Sequence, residues 1–574
     1  MTRSLRSPAA ALAVALALTA CQSDGAITPD AALSLGQSKA TRGPQSITLE
    51  GGSAGADYYA VLVNTGQTAG ATESYSLTAS GVVAPTTLAG PIGTPTLSLS
   101  AASGGASGPA PAPDRAFEAR LRMRERGLTP RFPAARQWLA ARRAASTTIG
   151  AGGSRTFDVT RRDAALPAGV QVGDLVTVNV NGVDACSNPI YHAARVMAIG
   201  THAIILNDTL NPGGGFTTAD FQRYATRFDT LVYPLDSAAF GPPTDIDANG
   251  HVGLIFTRTV NELTPANSNS FVGGFTFSRD LFPLTATARA EACPTSNEGE
   301  YFYLLTPDPA GAINGNRRTT GFVDTNTTAI IAHEFQHLIN AGRRIYVNNA
   351  SDFEETWLDE GLAHIAEELL FYREGGLAPK GNLDTPLLRA SELRRTAFNL
   401  DMLGNAGRYR SYLLAPSTSS PYAANDSLST RGGAWSLLRY LADRSGRSDN
   451  AFFFALANSA TRGIANVTAV YGADVAGAVR DWNTSNAVDD VVAASTELLQ
   501  PSWNWHNIYP TLNSSYPLTV PALADGSAAT GSIVAGGAAY YRLGVPPGSS
   551  VSLSLSAPSA TATTNLQLVV VRTR

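Results

Sequence analysis

Lysine is almost absent: Lys39 and Lys380 are the only two among 574 residues, so arginine carries nearly all the positive charge. A bias spread over a whole chain says little about any one segment, and arginine-rich stretches are therefore discounted as binding patches. Charged residues amount to 15% and the net charge is −4, which gives no case for nucleic acid or for an acidic ligand. After the amino-terminal leader no run of about 18 apolar residues occurs, so no membrane-spanning helix is expected. Cysteine is nearly as rare as lysine, with Cys21, Cys186 and Cys293 the full set, and histidine occurs seven times. A length of 574 residues exceeds one ordinary domain and implies about two to four units.

What is present starts with an export signal. Arg3 and Arg6 precede an apolar core from Ala9 to Leu18, and Leu18-Thr19-Ala20-Cys21 then resembles a bacterial lipobox. Use of that box removes residues 1–20 and leaves Cys21 as a lipid-bearing amino terminus, anchoring the protein to a membrane without spanning it. Gln22 at the next position resembles outer-membrane sorting, which implies a lipoprotein of the bacterial cell envelope; a plain secretory signal and a secreted protein is the alternative. In an exported protein the even pair Cys186 and Cys293 points to one disulfide, with buried free thiols the other possibility.

The centre of the sequence is Thr328 to Asn340, TAIIAHEFQHLIN, which holds His333-Glu334-Phe335-Gln336-His337. On a helix, residues four apart share a face, so His333 and His337 project together and can grip one zinc ion, with Glu334 beside them. Asp324, Thr325, Thr327 and Thr328 offer caps, and no Gly or Pro interrupts the body before Gly342. A catalytic zinc takes three protein ligands and leaves one position open. The following helical segment, FEETWLDEGLAHIAEELLFY, capped by Ser351 or Asp352, contains Glu354, Glu355, Asp359, Glu360 and His364 as candidates for the third. Gly361 within it leaves room for close helix packing. The pattern HExxHxxGxxH is excluded, because Asn340 and Arg343 stand where its Gly and third His belong.

HEFQH followed by Trp357-Leu358-Asp359-Glu360-Gly361-Leu362-Ala363 resembles the gluzincin metallopeptidases, whose third ligand is the Glu of a W-L-[ND]-E-G-[LF]-A helix. Together with SNEGEYFYLLTPDP (Ser296 to Pro309), AHEFQHLI is most similar to the hyicolysin family of secreted bacterial zinc endopeptidases. The resemblance implies an α+β fold with a β-rich amino half and a helical carboxyl half. It also implies Glu360 as third zinc ligand, Asp359 as a partner of a ligand histidine, and Glu334 as catalytic base. Gluzincins further place a Tyr or His near the oxyanion, and Tyr372, Tyr409, Tyr412, Tyr422, His364, His506 and Arg431 all stay open for that role.

The remaining segments fall around this domain. Residues 21–46 read as a tether and 47–102 as a small β-sandwich module. Within 103–150, a Gly/Pro/Ala linker precedes an arginine-rich helical stretch from Asp114 to Arg143. This stretch reads as a solvated connector, the alternative being a propeptide helix across the cleft. The metallopeptidase domain spans 151–510 and is mostly β from 155 to 310. Its strand Glu300 to Thr306 is placed beside the zinc helix, with an edge free to pair with an extended substrate. Asp245-Ile-Asp247-Ala-Asn249-Gly250 resembles half of a calcium loop, but Phe256 replaces the acidic ligand such a loop needs; Asn249-Gly250 reads as a hairpin turn, with calcium at Asp245, Asp247 and Asn249 the weaker reading. Helices are expected at 391–403, 433–444, 450–460 and 468–484. Residues 515–574 form a second β module, whose GGAAYYRLGV echoes GGSAGADYYAVLV and looks weakly like the bacterial pre-peptidase C-terminal domain.

These readings converge on a hydrolase: a surface-anchored or secreted zinc endopeptidase cutting polypeptides, with one catalytic zinc and Glu334 handling the proton of the attacking water. The alternative from another class is a surface adhesin or binding scaffold with a non-catalytic zinc fold. The absence of a nearby cysteine and the spare Glu334 argue against a purely structural metal.

Overall fold

A computed structural model describes residues 32–86, 112–148, 166, 169–268, 270–285, 291–472, 474–557 and 565–574; Cys21 and the signal lie outside the described residues. Four strands come first: β1 (Ser38–Arg42), β2 (Ser46–Glu50), β3 (Ala56–Asn64) and β4 (Thr72–Ser80). Two helices, α1 (Ala112–Arg126) and α2 (Phe132–Thr148), are separated by a short turn at Pro130. A mixed region follows, with β5 (Leu175–Asn179), β6 (Tyr191–Ile199), β7 (Ala203–Asp208), α3 (Thr218–Arg227), α4 (Tyr233–Phe240), β8 (Val252–Phe256), α5 (Arg258–Glu262), β9 (Gly274–Thr276) and β10 (Tyr301–Leu304).

The long helices α6 (Thr320–Tyr346) and α7 (Thr356–Gly375) come next. Behind them lie α8 (Thr385–Arg389), α9 (Glu392–Ala397), α10 (Leu403–Leu414), α11 (Leu428–Arg444), α12 (Asp449–Ala457), α13 (Gly463–Tyr471), α14 (Val475–Val488) and α15 (Trp505–Asn513). The chain closes with β11 (Ala528–Val534), β12 (Ala538–Val545), β13 (Ser550–Ser556) and β14 (Leu566–Arg572).

The two terminal β segments are not separate modules. They interleave into one sandwich with sheets β1-β14-β3-β12 and β11-β4-β13-β2. Exchanging β2 with β11 and β4 with β13 reproduces the second sheet's order, so the repeated Tyr-Tyr motif marks two halves of one body. In the register of β3 against β12, Tyr59 faces Arg542 and Val61 faces Tyr540. Neither half could cover its own apolar face, because Tyr58, Leu62 and Leu77 bury against Leu543, Leu553 and Leu568 from the other. The expected tether also contributes a strand, β1, through Ala40 opposite Val569.

The central sheet runs β5-β6-β7-β8-β10-β9, parallel at β7-β8-β10 and antiparallel elsewhere. Helices α3 and α4 form the crossover from β7 to β8, so the region is less purely β than its sequence suggests, and Asn249-Gly250 is no hairpin. A parallel strand needs a crossover, and the turn merely ends it. Strand β10 is interior; the edge beside α6 is β9. Gly273 and Gly274 permit that approach, since a Cβ on Gly273 would stand 2.4 Å from Ile330.

Helix α6 starts at the Thr319 cap, whose hydroxyl accepts from Phe322 N, ahead of Asp324, Thr325, Thr327 and Thr328, the caps the composition suggests, and runs on through Gly342. Helix α7 begins after Glu355 without a side-chain cap, not at Ser351 or Asp352. Gly361 serves α11 instead of α6: a Cβ there would lie 2.8 Å from Leu438 Cδ1. The expected helix 468–484 is broken by left-handed Gly472 into α13 and α14. Cys186 and Cys293 form a disulfide across 107 residues, a closure that stabilises by about 4–5 kcal/mol in the chain-entropy account.

Removing residues 515–574 is therefore expected to expose β3 and β4 on both sides. Limited proteolysis of the truncated chain should cut within 38–80 at conditions where the full chain is protected. Equal protection of 38–80 in both would mean that the amino-terminal strands fold by themselves.

Candidate metal centre

His333 and His337, one turn apart on α6, turn their Nε2 atoms toward each other at 3.1 Å. Glu360 of α7 brings Oε2 to 3.5 Å from His333 Nε2 and 3.7 Å from His337 Nε2. A tetrahedral ion with donors at about 2.0–2.2 Å has donor–donor edges of about 3.3–3.6 Å. The observed edges of 3.1, 3.5 and 3.7 Å straddle that range.

Behind each ring stands a carboxylate. His333 Nδ1 is 2.8 Å from Glu367 Oε1, and His337 Nδ1 is 2.9 Å from Asp359 Oδ2. These partners favour the Nδ1–H tautomer, which leaves both Nε2 lone pairs facing one another and the Glu360 oxygen. Glu360 Oε2 is buried and takes no well-formed hydrogen bond, although Arg431 Nη1 lies 3.0 Å away. With both imidazoles in that tautomer, three electron-rich atoms aim at one point, an arrangement that fits a divalent cation. Asn340, at the position where another motif would need Gly, donates from Nδ2 to Asp359 Oδ1 at 2.6 Å.

The electrostatics agree. Burial pushes the His337 pKa down, but Asp359 and Glu360 outweigh it and hold the ring at about 10; His333 is raised likewise by Glu360 and Glu367. Burial raises Glu360, yet Arg431 and His337 bring it well below the usual carboxylate range. Glu367 is lowered in the same way by His364 and Arg408. Burial and Arg408 push His364 down to about 3, so it stays neutral, donating Nδ1–H to Glu367 Oε1 at 3.2 Å. The pocket is thus built to hold positive charge where the imidazole nitrogens meet.

Glu334 lies between the two histidines on α6, 7% exposed, and stands outside the donor triangle. Its main-chain carbonyl accepts from Thr276 Oγ1 of β9 at 2.9 Å, which ties the sheet edge to the helix. Other expected ligands are employed elsewhere: Glu354 pairs with Arg344 at 3.1 Å, and Glu355 accepts from Trp357 Nε1 at 2.8 Å.

The tyrosines left open for the oxyanion are also engaged away from the centre. Tyr372 donates to Glu368, Tyr409 to Asn486, Tyr412 to Asn483 and Tyr422 to Gly66 O. His506 stacks on Tyr516. Of that set only Arg431 and His364 reach the site. Asp426 clasps Arg431 through Nε and Nη2 at 2.8 and 2.9 Å, leaving Nη1 for Glu360.

The turn considered for calcium gathers Asp245 and Asp247 with Glu300, a residue the loop pattern did not include. Glu300 accepts from Thr244 Oγ1 at 2.7 Å and from Ile246 N at 3.1 Å, which fixes the turn to the sheet. Burial pushes Asp247 up to about 8 and Glu300 up to about 7, so protonation relieves the cluster.

No family model matches the chain. A stretch of 142 residues is 29% identical to the neutral metalloprotease ShpI of Staphylococcus hyicus. It covers 25% of this chain and 29% of that protein's length. The similarity and the buried His-His-Glu cluster together support a metallopeptidase.

Glu367 escaped the sequence reading, yet Glu360, His364 and Glu367 are spaced i, i+4, i+7 and so share one face of α7. Glu367→Ala should weaken metal binding by about 10- to 100-fold with the fold intact, read by competition against a chromophoric chelator. Unchanged affinity would show that His333 needs no support from Glu367.

Proposed function

We propose that the protein is a zinc-dependent endopeptidase that hydrolyses peptide bonds of extended polypeptides bound along the outer edge of β9. The observation that carries this reading is the convergence of three donors, from His333, His337 and Glu360, while Glu334, next to His333 in the chain, is outside the set. A structural zinc site closes with four protein donors; three donors and a free acid–base group suit catalysis.

When bound, the metal supplies Lewis acidity, drawing a water's pKa toward neutrality and polarising a carbonyl oxygen. Asp359 and Glu367 hold the two imidazoles in the tautomer that presents Nε2. Glu334 accepts the proton of the attacking water and returns it to the leaving nitrogen as the peptide bond breaks. Arg431, fixed by Asp426, is the donor assigned to the developing oxyanion, because its Nη1 stands beside Glu360 while the tyrosines are held in the core. The unpaired edge of β9 offers backbone groups to which an extended substrate adds as a strand, a role that passes from β10 to β9. Lipid attachment at Cys21 would keep this activity at the cell envelope, and a plain signal would release it.

Glu334→Gln should keep its metal and lose about 10²- to 10⁴-fold in hydrolysis of an unfolded protein, whereas Glu360→Ala should lose the metal itself. Full activity in Glu334→Gln, or hydrolysis indifferent to chelators, would contradict the assignment; a binding scaffold would be indifferent to both.

A further inference from the structure

Helix α1 does not behave as a solvated connector. Phe117 and Leu121 are 3% and 2% exposed, and the Phe117 ring meets Phe275 of the β9 edge at 5.5 Å between centroids. Farther along the helix, the Glu125 carboxylate accepts from Ser278 N at 2.9 Å and Ser278 Oγ at 2.7 Å, just past the end of β9.

The charged residues between these anchors reach the metal centre. Arg122 donates from Nη2 to Glu360 Oε1 at 3.3 Å, and its Nη1 stands 3.9 Å from Asp359 while bonding Glu125 at 2.8 Å. Glu118 pairs with Arg431 on the other side. One helix thus touches the sheet edge, the carboxylate of the donor triangle and the guanidinium assigned to the oxyanion. What remains between Arg122, Glu125, Ser278, His337, Asn340 and Asp359 is a cavity of about 20 Å³, room for about one water.

We infer that α1 is an internal inhibitor: it occupies the place of an extended substrate along β9, with Glu118 seated on Arg431 and Arg122 on Glu360, and the chain as folded is closed. This rests on reading the cleft as a peptide-binding site. Among the described side chains, Phe117 and Leu121 and a few polar pairs hold the helix, a small set that a partner or a cut in the preceding chain could overcome. While it stays, catalysis is limited to the fraction of molecules in which it has swung away, and loosening it raises the apparent rate in proportion to that fraction.

The test uses the full chain with Phe117→Ala and Leu121→Ala together, side chains that touch none of the metal-binding or acid–base groups; Leu121→Ala alone is the milder variant should the pair fold poorly. Three readouts are taken: hydrogen exchange over 112–126, the rate at which 1,10-phenanthroline strips zinc, and hydrolysis of an unfolded protein. The expected result is faster exchange confined to α1, faster stripping, and hydrolysis raised about tenfold. Faster exchange with unchanged stripping, or with hydrolysis unchanged or lower than an active parent chain, would make α1 a structural wall and overturn the inference. If no form hydrolyses protein but stripping accelerates, α1 still shuts the cleft, and it is the peptidase reading that fails.

Discussion

Charge balance inside a dry helix pair is the constraint on which the rest depends. Glu360 is buried between α6 and α7 and Asp359 and Glu367 are nearly so, at a place where an unmatched carboxylate would cost several kcal/mol. Each therefore faces a cation or a proton donor: Arg122 and Arg431 stand against Glu360, Arg408 against Glu367, and Nδ1 of His337 against Asp359. Because both histidines spend Nδ1 on this balance, Nε2 is the atom each presents to the centre. The donor triangle follows from the balance.

Positions of the surrounding elements follow from apolar burial. Helix α11 closes on α7 at Gly361, which brings Arg431 to Glu360, and Ile330 of α6 seats against the glycines of β9, which brings the sheet edge to Glu334. The sandwich joins the same core through Tyr540, whose hydroxyl donates to Asn483 O of α14 at 2.8 Å. Strands from both 38–80 and 528–572 are thereby fastened to the helical half.

The sequence was legible where chemistry is local. His333 and His337 are four apart, so helical spacing alone brings their side chains to one face of α6, while Glu334 and Glu360 were carried by the resemblance of HEFQH and WLDEGLA; the Cys186 and Cys293 pairing needed only an even count. It was illegible where partners lie far apart. Arg122 meets Glu360 across 238 positions, and an arginine in an arginine-rich segment carries no signal of its own. The shared sandwich was hidden for a related reason. Alternating strands report which face is buried, but not which strand covers it, so two halves of one body read as two modules. Glu300 to Thr306 reads as the free edge beside the metal helix but lies one strand inside it, because the true edge strand, three residues long, leaves almost no periodic pattern.

X-ray absorption at the zinc edge of the purified full chain tests the central claim most directly. The account predicts one zinc per chain with only nitrogen and oxygen neighbours at about 2.0–2.1 Å and outer scattering from two imidazoles, lost as a set when Glu360 is replaced. A shell containing sulfur, a single imidazole, or no retained zinc would contradict it.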